Sequence, residues 1–198
     1  MLSKRLFRIL PAAAAVAVAA TSCRATPPHG VVIDAPRPAA PLVVSMLTGR
    51  PYELAADTGK FVLLYFGYTH CPDYCPMMLT DWARVSRDLG AKAKGIRFVF
   101  VSVDPDRDTP QLTERFVHDF DPSFIGLAPT VTELETIKRA WEITTYKEES
   151  ASPGRSPERY SVAHPANAFL LDRSGRVRVL YPPETRWQDL AADLRRML

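Results

Sequence analysis

Residues 61–76, FVLLYFGYTHCPDYCP, constrain the fold of this 198-residue chain more than any other stretch. Phe61-Val62-Leu63-Leu64-Tyr65-Phe66 is an unbroken apolar run rich in aromatic and branched residues. A strand buried on both faces reads this way. The run stops at Gly67, and a short polar loop then carries Cys71 and Cys75. Pro76 stands where a helix can open, because proline fixes φ and lacks an N–H that the first turn would not use. Met77 to Val85 reads as the body of that helix. Two thiols therefore sit where a buried strand hands over to a helix. A helix N-terminus carries partial positive charge and favours thiolate over thiol. Thiolates are nucleophiles and metal ligands, so the junction is a site for redox chemistry or for metal.

The flanking sequence fits an α/β domain around that junction. Leu42-Val43-Val44 and Tyr52-Glu53-Leu54 flank Thr48-Gly49-Arg50-Pro51 and predict a hairpin ahead of the core. Ile96 to Val103 is a second buried strand, one helix length after the first, which makes a parallel βαβ unit. Thr109 can cap a helix that opens at Pro110 and runs to about Phe120. Thr132 with Glu135 forms a capping box for another, running to about Trp141. Lys147 to Arg159 is polar and reads as an exposed, mobile loop. Ala168–Leu171 and Val177–Tyr181 form an antiparallel hairpin around Asp172-Arg173-Ser174-Gly175. Glu184 to Leu198 closes the chain as an amphipathic helix, with Trp187, Leu190, Leu194 and Met197 at helical spacing. No long internal repeat is visible. A βαβ half joined to a ββα half, with a dithiol at the first strand-to-helix junction, is a thioredoxin-like α/β fold. It predicts a central mixed sheet flanked by helices, with an N-terminal β-hairpin extension.

The N-terminus predicts export. Lys4, Arg5 and Arg8 precede a short Ala/Val core over residues 12–20, too short to span a bilayer, and Thr21-Ser22 are small residues before Cys23. Residues 1–23 thus read as a signal segment of lipoprotein type, with Cys23 as the lipidated residue. An ordinary secretory signal or an uncleaved anchor is the plainer alternative. Either way the domain lies outside the cytoplasm, at or near a membrane. Residues 24–41, with Pro27, Pro28, Pro36, Pro38 and Pro41, read as an extended tether. The domain then covers 42–198. The formal charge of +3 arises from the three cations of the first segment, so the rest is neutral and offers no basic face for nucleic acid.

The dithiol admits several uses. A plain structural disulfide over so small a loop would constrain little of the unfolded chain. Thiol–disulfide exchange is the functional rival. Oxidoreductases of this architecture usually have two residues between their cysteines, whereas here Pro72, Asp73 and Tyr74 intervene. They also set a proline against the dithiol just before the third strand, a place that falls near Ala166, one residue after Pro165. A peroxiredoxin would want Thr or Ser beside its peroxidatic cysteine. Among the remaining polar residues, His70 reads as a solvent-facing loop histidine, and His29 and His118 as tail and helix-surface residues. Met77 and Met78 read as core filler. Asp106 and Asp108 read as loop and cap chemistry, and Tyr68 and Tyr74 as walls of the site or a partner surface.

The chain from about Leu42 onward resembles the Sco/SenC family. Gly67-Tyr68-Thr69-His70-Cys71-Pro72-Asp73-Tyr74-Cys75-Pro76, then Val103-Asp104-Pro105-Asp106-Arg107-Asp108-Thr109-Pro110, then His164 ahead of Phe169-Leu170-Leu171-Asp172, carry the resemblance in order. Ala163, Pro165 and Ala128-Pro129 differ from the family's usual residues. The resemblance implies a membrane-anchored copper protein that helps to metallate the copper-centre subunit of cytochrome c oxidase. An upstream copper donor or a thiol reductant would be a further partner. It also implies Cys71, Cys75 and His164 as copper ligands and Asp104 as an acidic residue beside them. The donor set is chemically sensible: sulfur holds Cu(I) and imidazole suits Cu(II). A structural zinc site would want four ligands, and the third cysteine, Cys23, belongs to the leader. Such a protein would be a chaperone rather than a catalyst, with thiol–disulfide exchange on exported cysteines as the alternative.

Overall fold

The structure, a computed structural model, describes residues 26–149 and 160–198. In chain order the elements are β1 (Val31–Val32), β2 (Val43–Ser45), β3 (Pro51–Glu53), β4 (Phe61–Gly67), α1 (Tyr74–Leu89), β5 (Ile96–Ser102), α2 (Pro110–His118), β6 (Ile125–Leu127), α3 (Val131–Trp141), β7 (Tyr146–Glu149), β8 (Tyr160–Ala163), β9 (Ala168–Leu171), β10 (Val177–Tyr181) and α4 (Trp187–Met197). Six strands form one mixed sheet in the order β1-β10-β9-β4-β5-β6. Strands β4, β5 and β6 run parallel, and β9, β10 and β1 add antiparallel pairings. The thioredoxin-like α/β architecture expected from the sequence is the one observed.

Strand β4 is buried along its whole length because it has a neighbour on each edge and helices over its faces. That environment explains why no polar residue alternates into Phe61–Phe66. Trp82 of α1 is fully buried and packs against Phe98 of β5 and against Phe124. It also meets Tyr65 of β4 edge to face, so the helix is fixed to the strand directly behind the dithiol. Helix α4 lies beside α1 and buries Leu190 and Leu194. The hairpin β2–β3 forms its own two-stranded sheet and inserts Leu42, Val44, Tyr52 and Leu54 into the core.

Several expectations need correction. Helix α1 opens at Tyr74, so Pro76 lies inside its first turn. The proline is tolerated there because the first four N–H groups of a helix lack intrahelical partners. The capping box of α3 is Thr130 with Glu133, two residues before the expected pair. Both pairs have the same spacing, and a tertiary contact separates them. Glu133 Oε1 also accepts from the Ser45 N–H at 3.1 Å and the Ser45 hydroxyl at 2.8 Å, tying α3 to the β2–β3 hairpin.

The expected loop from Lys147 begins as strand β7, paired with β8 from Tyr146↔Ala163 to Glu149↔Tyr160. Residues 150–159 of that loop lie outside the described residues, as does the expected export segment with Cys23. The expected tether also includes structure. Val31 and Val32 pair with Leu180 and Val179, and Pro38 bridges to Arg176. His29 is no free tail residue: its backbone N–H donates to Asp193 at 2.7 Å and its ring Nδ1 lies 2.8 Å from the same carboxylate. Among the described residues, no helix is long and apolar enough to cross a membrane.

Candidate metal centre

Three elements bring the site together. The loop after β4 carries Cys71, the first turn of α1 carries Cys75, and the residue directly after β8 is His164. One donor atom from each lies within 4.8 Å of the others. Bonds of roughly 2.0–2.3 Å to nitrogen and sulfur set donor separations near 3.5–4.5 Å around an ion. The triangle is thus close to the size of a coordination sphere. Cys71 is partly buried and Cys75 fully buried, and neither is in a disulfide.

The two sulfurs are not equivalent. Hydrogen bonding from the Cys75 thiol, and from the Cys75 and Asp73 N–H groups, lowers the Cys71 pKa to about 3, against the opposing effect of burial. The Cys75 N–H lies 3.4 Å from Cys71 Sγ, so the open end of α1 points at that sulfur. Cys75 moves the opposite way. Its hydrogen bond to Cys71, its burial and the neighbouring negative charge all push its pKa up. The resting pair is a Cys71 thiolate accepting a hydrogen bond from the Cys75 thiol, which keeps its proton.

His164 completes the set. Its Nδ1 lies 3.0 Å from the Pro165 carbonyl, which can only accept, so Nδ1 carries the proton. Nε2 is then left as a lone-pair donor, 3.9 Å from Cys75 Sγ. The imidazole stands edge to face against Tyr65 and Tyr68, with centroid separations of 5.7 and 5.6 Å.

Several contributors escape the sequence. Tyr65 looks like an ordinary core residue of β4, yet its hydroxyl lies 3.9 Å from Cys75 Sγ. Burial and the nearby cysteine keep its pKa above the usual phenol range, so it remains a neutral hydrogen-bonding group. Gly67 is needed for space: a Cβ there would meet Phe100 Cε2 at 2.7 Å and Cys75 Sγ at 2.8 Å. Its position at the end of the apolar run is the only hint. Asp108 does more than loop chemistry. It is buried and accepts from the Thr69 N–H at 2.9 Å, the Thr69 hydroxyl at 2.6 Å and the Ser102 hydroxyl at 2.5 Å. It thereby bolts the dithiol loop to the end of β5.

Other candidates sit elsewhere. Asp104 is buried, but its oxygens are taken by Arg107 Nε and the Tyr160 hydroxyl rather than by the three donors. It is linked to the site through Arg107, which lies 5.7 Å from the Tyr68 ring. His70 is half-exposed beside Thr69, and His118 is exposed, as expected. Met78 is core, whereas Met77 is 44% exposed and so is not the filler its neighbourhood suggests. Tyr68 is a buried wall of the site, and Tyr74 is exposed.

Comparisons with known proteins agree with this arrangement. The SCO1/SenC family profile matches residues 43–198. The bovine mitochondrial SCO2 homolog is 33% identical over 150 residues, covering 75% of this chain and 55% of that protein. The chain spans about half the length of the curated relatives it matches. The solution structure of apo Sco1 from Thermus thermophilus superposes with a TM-score of 0.76 at 31% identity, covering 87% of this chain and 98% of the other. The structure of Bradyrhizobium japonicum ScoI with copper bound gives a TM-score of 0.71 at 31% identity, covering 82% of this chain and 100% of the other. The match takes in every element from β2 to α4 together with the dithiol and the distal histidine, and on that basis the chain belongs to the SCO1/SenC family.

Proposed function

We propose that this chain is an extracytoplasmic copper chaperone that delivers its ion to the copper centre of cytochrome c oxidase. The observation that carries the reading is the convergence of Cys71, Cys75 and His164 from three separate elements. A bound copper in a structure 31% identical to this chain supports the choice of metal. The donors also suit a carrier. Three ligands from one protein leave the ion open to a fourth from a recipient. Cys71 is ready as a thiolate to take up an ion, and Cys75 must release its proton to solvent when it binds. The partners in this reading are the copper-centre subunit, an upstream donor or reductant, and the membrane through a lipidated Cys23.

The test is to add Cu(II) to the reduced chain from Thr26 onward, so that β1 and His29 are kept. One tightly held copper with a thiolate-to-copper charge-transfer band is expected. Cys71→Ser and Cys75→Ser should each abolish it. His164→Ala should weaken Cu(II) far more than Cu(I), since two thiolates still hold the softer ion. Equal loss of both ions would count against the assigned role of His164.

A second reading has its own observation. A Cys71 thiolate backed by a buried Cys75 thiol is also a nucleophile with a resolving partner. A chain that retains no copper, yet rapidly reduces a model disulfide, would act as a thiol–disulfide oxidoreductase on exported cysteines.

A further inference from the structure

His164 is held differently from the two cysteines. Cys75 sits on a long helix, and Cys71 on a loop bolted to β5 by Asp108. His164 follows β8, whose only strand partner among the described residues is β7, in a two-stranded sheet separate from the central one. Something other than the main sheet must hold that hairpin against the domain.

Tyr160, the first residue of β8, is gripped from three sides. Its hydroxyl donates to Asp104 Oδ1 at 2.6 Å. The Arg107 guanidinium lies over its ring at 3.6 Å and donates to its backbone carbonyl at 3.0 Å. Arg107 Nε also donates to Asp104 Oδ2, closing a three-membered cluster. Lys147 of β7 stacks on the same ring at 4.7 Å and pairs with Asp106. Asp104, Asp106, Arg107 and Asp108 all belong to the loop between β5 and α2. One loop thus grips the dithiol segment with Asp108 and the histidine hairpin with Asp104 and Arg107.

We propose that Arg107 and Tyr160 are positioning residues that hold His164 over the dithiol. They touch none of the three donor atoms and act through the hairpin. In the copper reading, which this inference rests on for one of its two readouts, the clamp decides how well the chain holds Cu(II). Groups bonded directly to a metal ligand typically matter by 10–100-fold in affinity, and a clamp acting one step further out is expected at the low end of that range.

The experiment uses the chain from Thr26 onward with Arg107→Ala, Arg107→Lys and Tyr160→Phe. The first readout is made without metal. The His164 ring stands edge to face with both Tyr65 and Tyr68, so its proton NMR shifts should be displaced from free-histidine values by their ring currents. In Arg107→Ala they should move toward free-histidine values while core resonances such as those of Trp82 stay in place. Tyr160→Phe, which keeps the ring and loses only the hydroxyl, should shift them the same way by less. Arg107→Lys keeps the charge but not the two-sided grip, and should resemble Arg107→Ala. Unmoved His164 shifts in both Arg107→Lys and Tyr160→Phe would overturn the proposal, whatever happens with copper.

The second readout is chelator competition with Cu(II) and with Cu(I). Arg107→Lys should lose about tenfold for Cu(II) and stay within about threefold for Cu(I), whose sulfur ligands are untouched. Equal losses for both ions would also overturn it. A wild-type chain that binds no copper would sink the chaperone reading alone, because the metal-free NMR shifts still decide the clamp.

Discussion

Cys71 and Cys75 are four residues apart and chemically opposite, because one faces the open end of a helix and the other lies beneath it. A thiolate with a pKa near 3 stays ionised across ordinary assay conditions. Alkylation of the reduced chain by iodoacetamide should therefore strike Cys71 first, at a rate nearly constant from about pH 5 to 8, where an ordinary thiol would quicken with pH. Peptide mass spectrometry would check this. A steep rise with pH, or Cys75 modified first, would contradict the assignment of charge. The qualitative idea is legible in the sequence, since a cysteine near a helix start is activated by the free N–H groups. Which cysteine is activated is not, because that depends on where the helix opens, and Pro76 suggests an opening two residues late. Gly67 makes the companion case. Ala at this position forces a methyl against Phe100 and Cys75, and overpacking of this kind costs about 1–3 kcal/mol. A urea unfolding midpoint for Gly67→Ala equal to that of wild type would show that the site can relax.

Elements with strong internal pattern are legible in the sequence, and those defined by partners are not. Strands β4 and β5, the hairpin β9–β10 and helix α2 are written in runs of apolar residues or in the pair Thr109-Pro110. The structure has them within a residue or two of expectation. By contrast, Tyr146-Lys147-Glu148-Glu149 is too charged to look like a strand, and it is one only because Tyr160–Ala163 pairs with it. Motif resemblance takes in the donors and also Arg107 and Asp108, but not what those two hold, nor Tyr160, because the contacts span 39 and 53 residues of chain. The N-terminal arm is the clearest miss. Its prolines read as a spacer, yet β1 completes the sheet edge, and His29 reaches Asp193, a fully buried carboxylate that also accepts from the Tyr181 hydroxyl and from the exposed Arg196. Losing one hydrogen bond to a buried charged group costs about 1.5–3 kcal/mol. His29→Ala keeps the backbone bond, so a loss of about 1–2 kcal/mol in unfolding free energy is expected. His118→Ala, at an exposed helix end, should change it by less than about 0.5 kcal/mol. Equal effects from both would mean that the arm is not anchored through His29.

At the scale of the molecule, the proposed copper site would couple metal to protons. Cys71 is already a thiolate, whereas Cys75 keeps its proton well above the usual thiol range. Binding through both sulfurs must then displace about one proton per ion. The metal-free chain holds that proton and the loaded chain does not, so raising the pH favours loading. Between about pH 7 and 9 the apparent log affinity for Cu(I) should rise by close to one for each pH unit, read from competition titrations at fixed ligand. A flat profile would require both sulfurs to be ionised before the metal arrives, which the burial of Cys75 beside a thiolate opposes. The same proton bears on release. A recipient or its surroundings that protonates Cys75 removes one of the two sulfur ligands without breaking a covalent bond. Oxidation to a Cys71–Cys75 disulfide removes both. In the proposed carrier role, a grip set by one buried proton would let the chain hold an ion firmly in transit and still give it up. Cys75→Ser tests this coupling directly, because the remaining Cys71 thiolate should bind Cu(I) more weakly and with almost no dependence on pH over the same range.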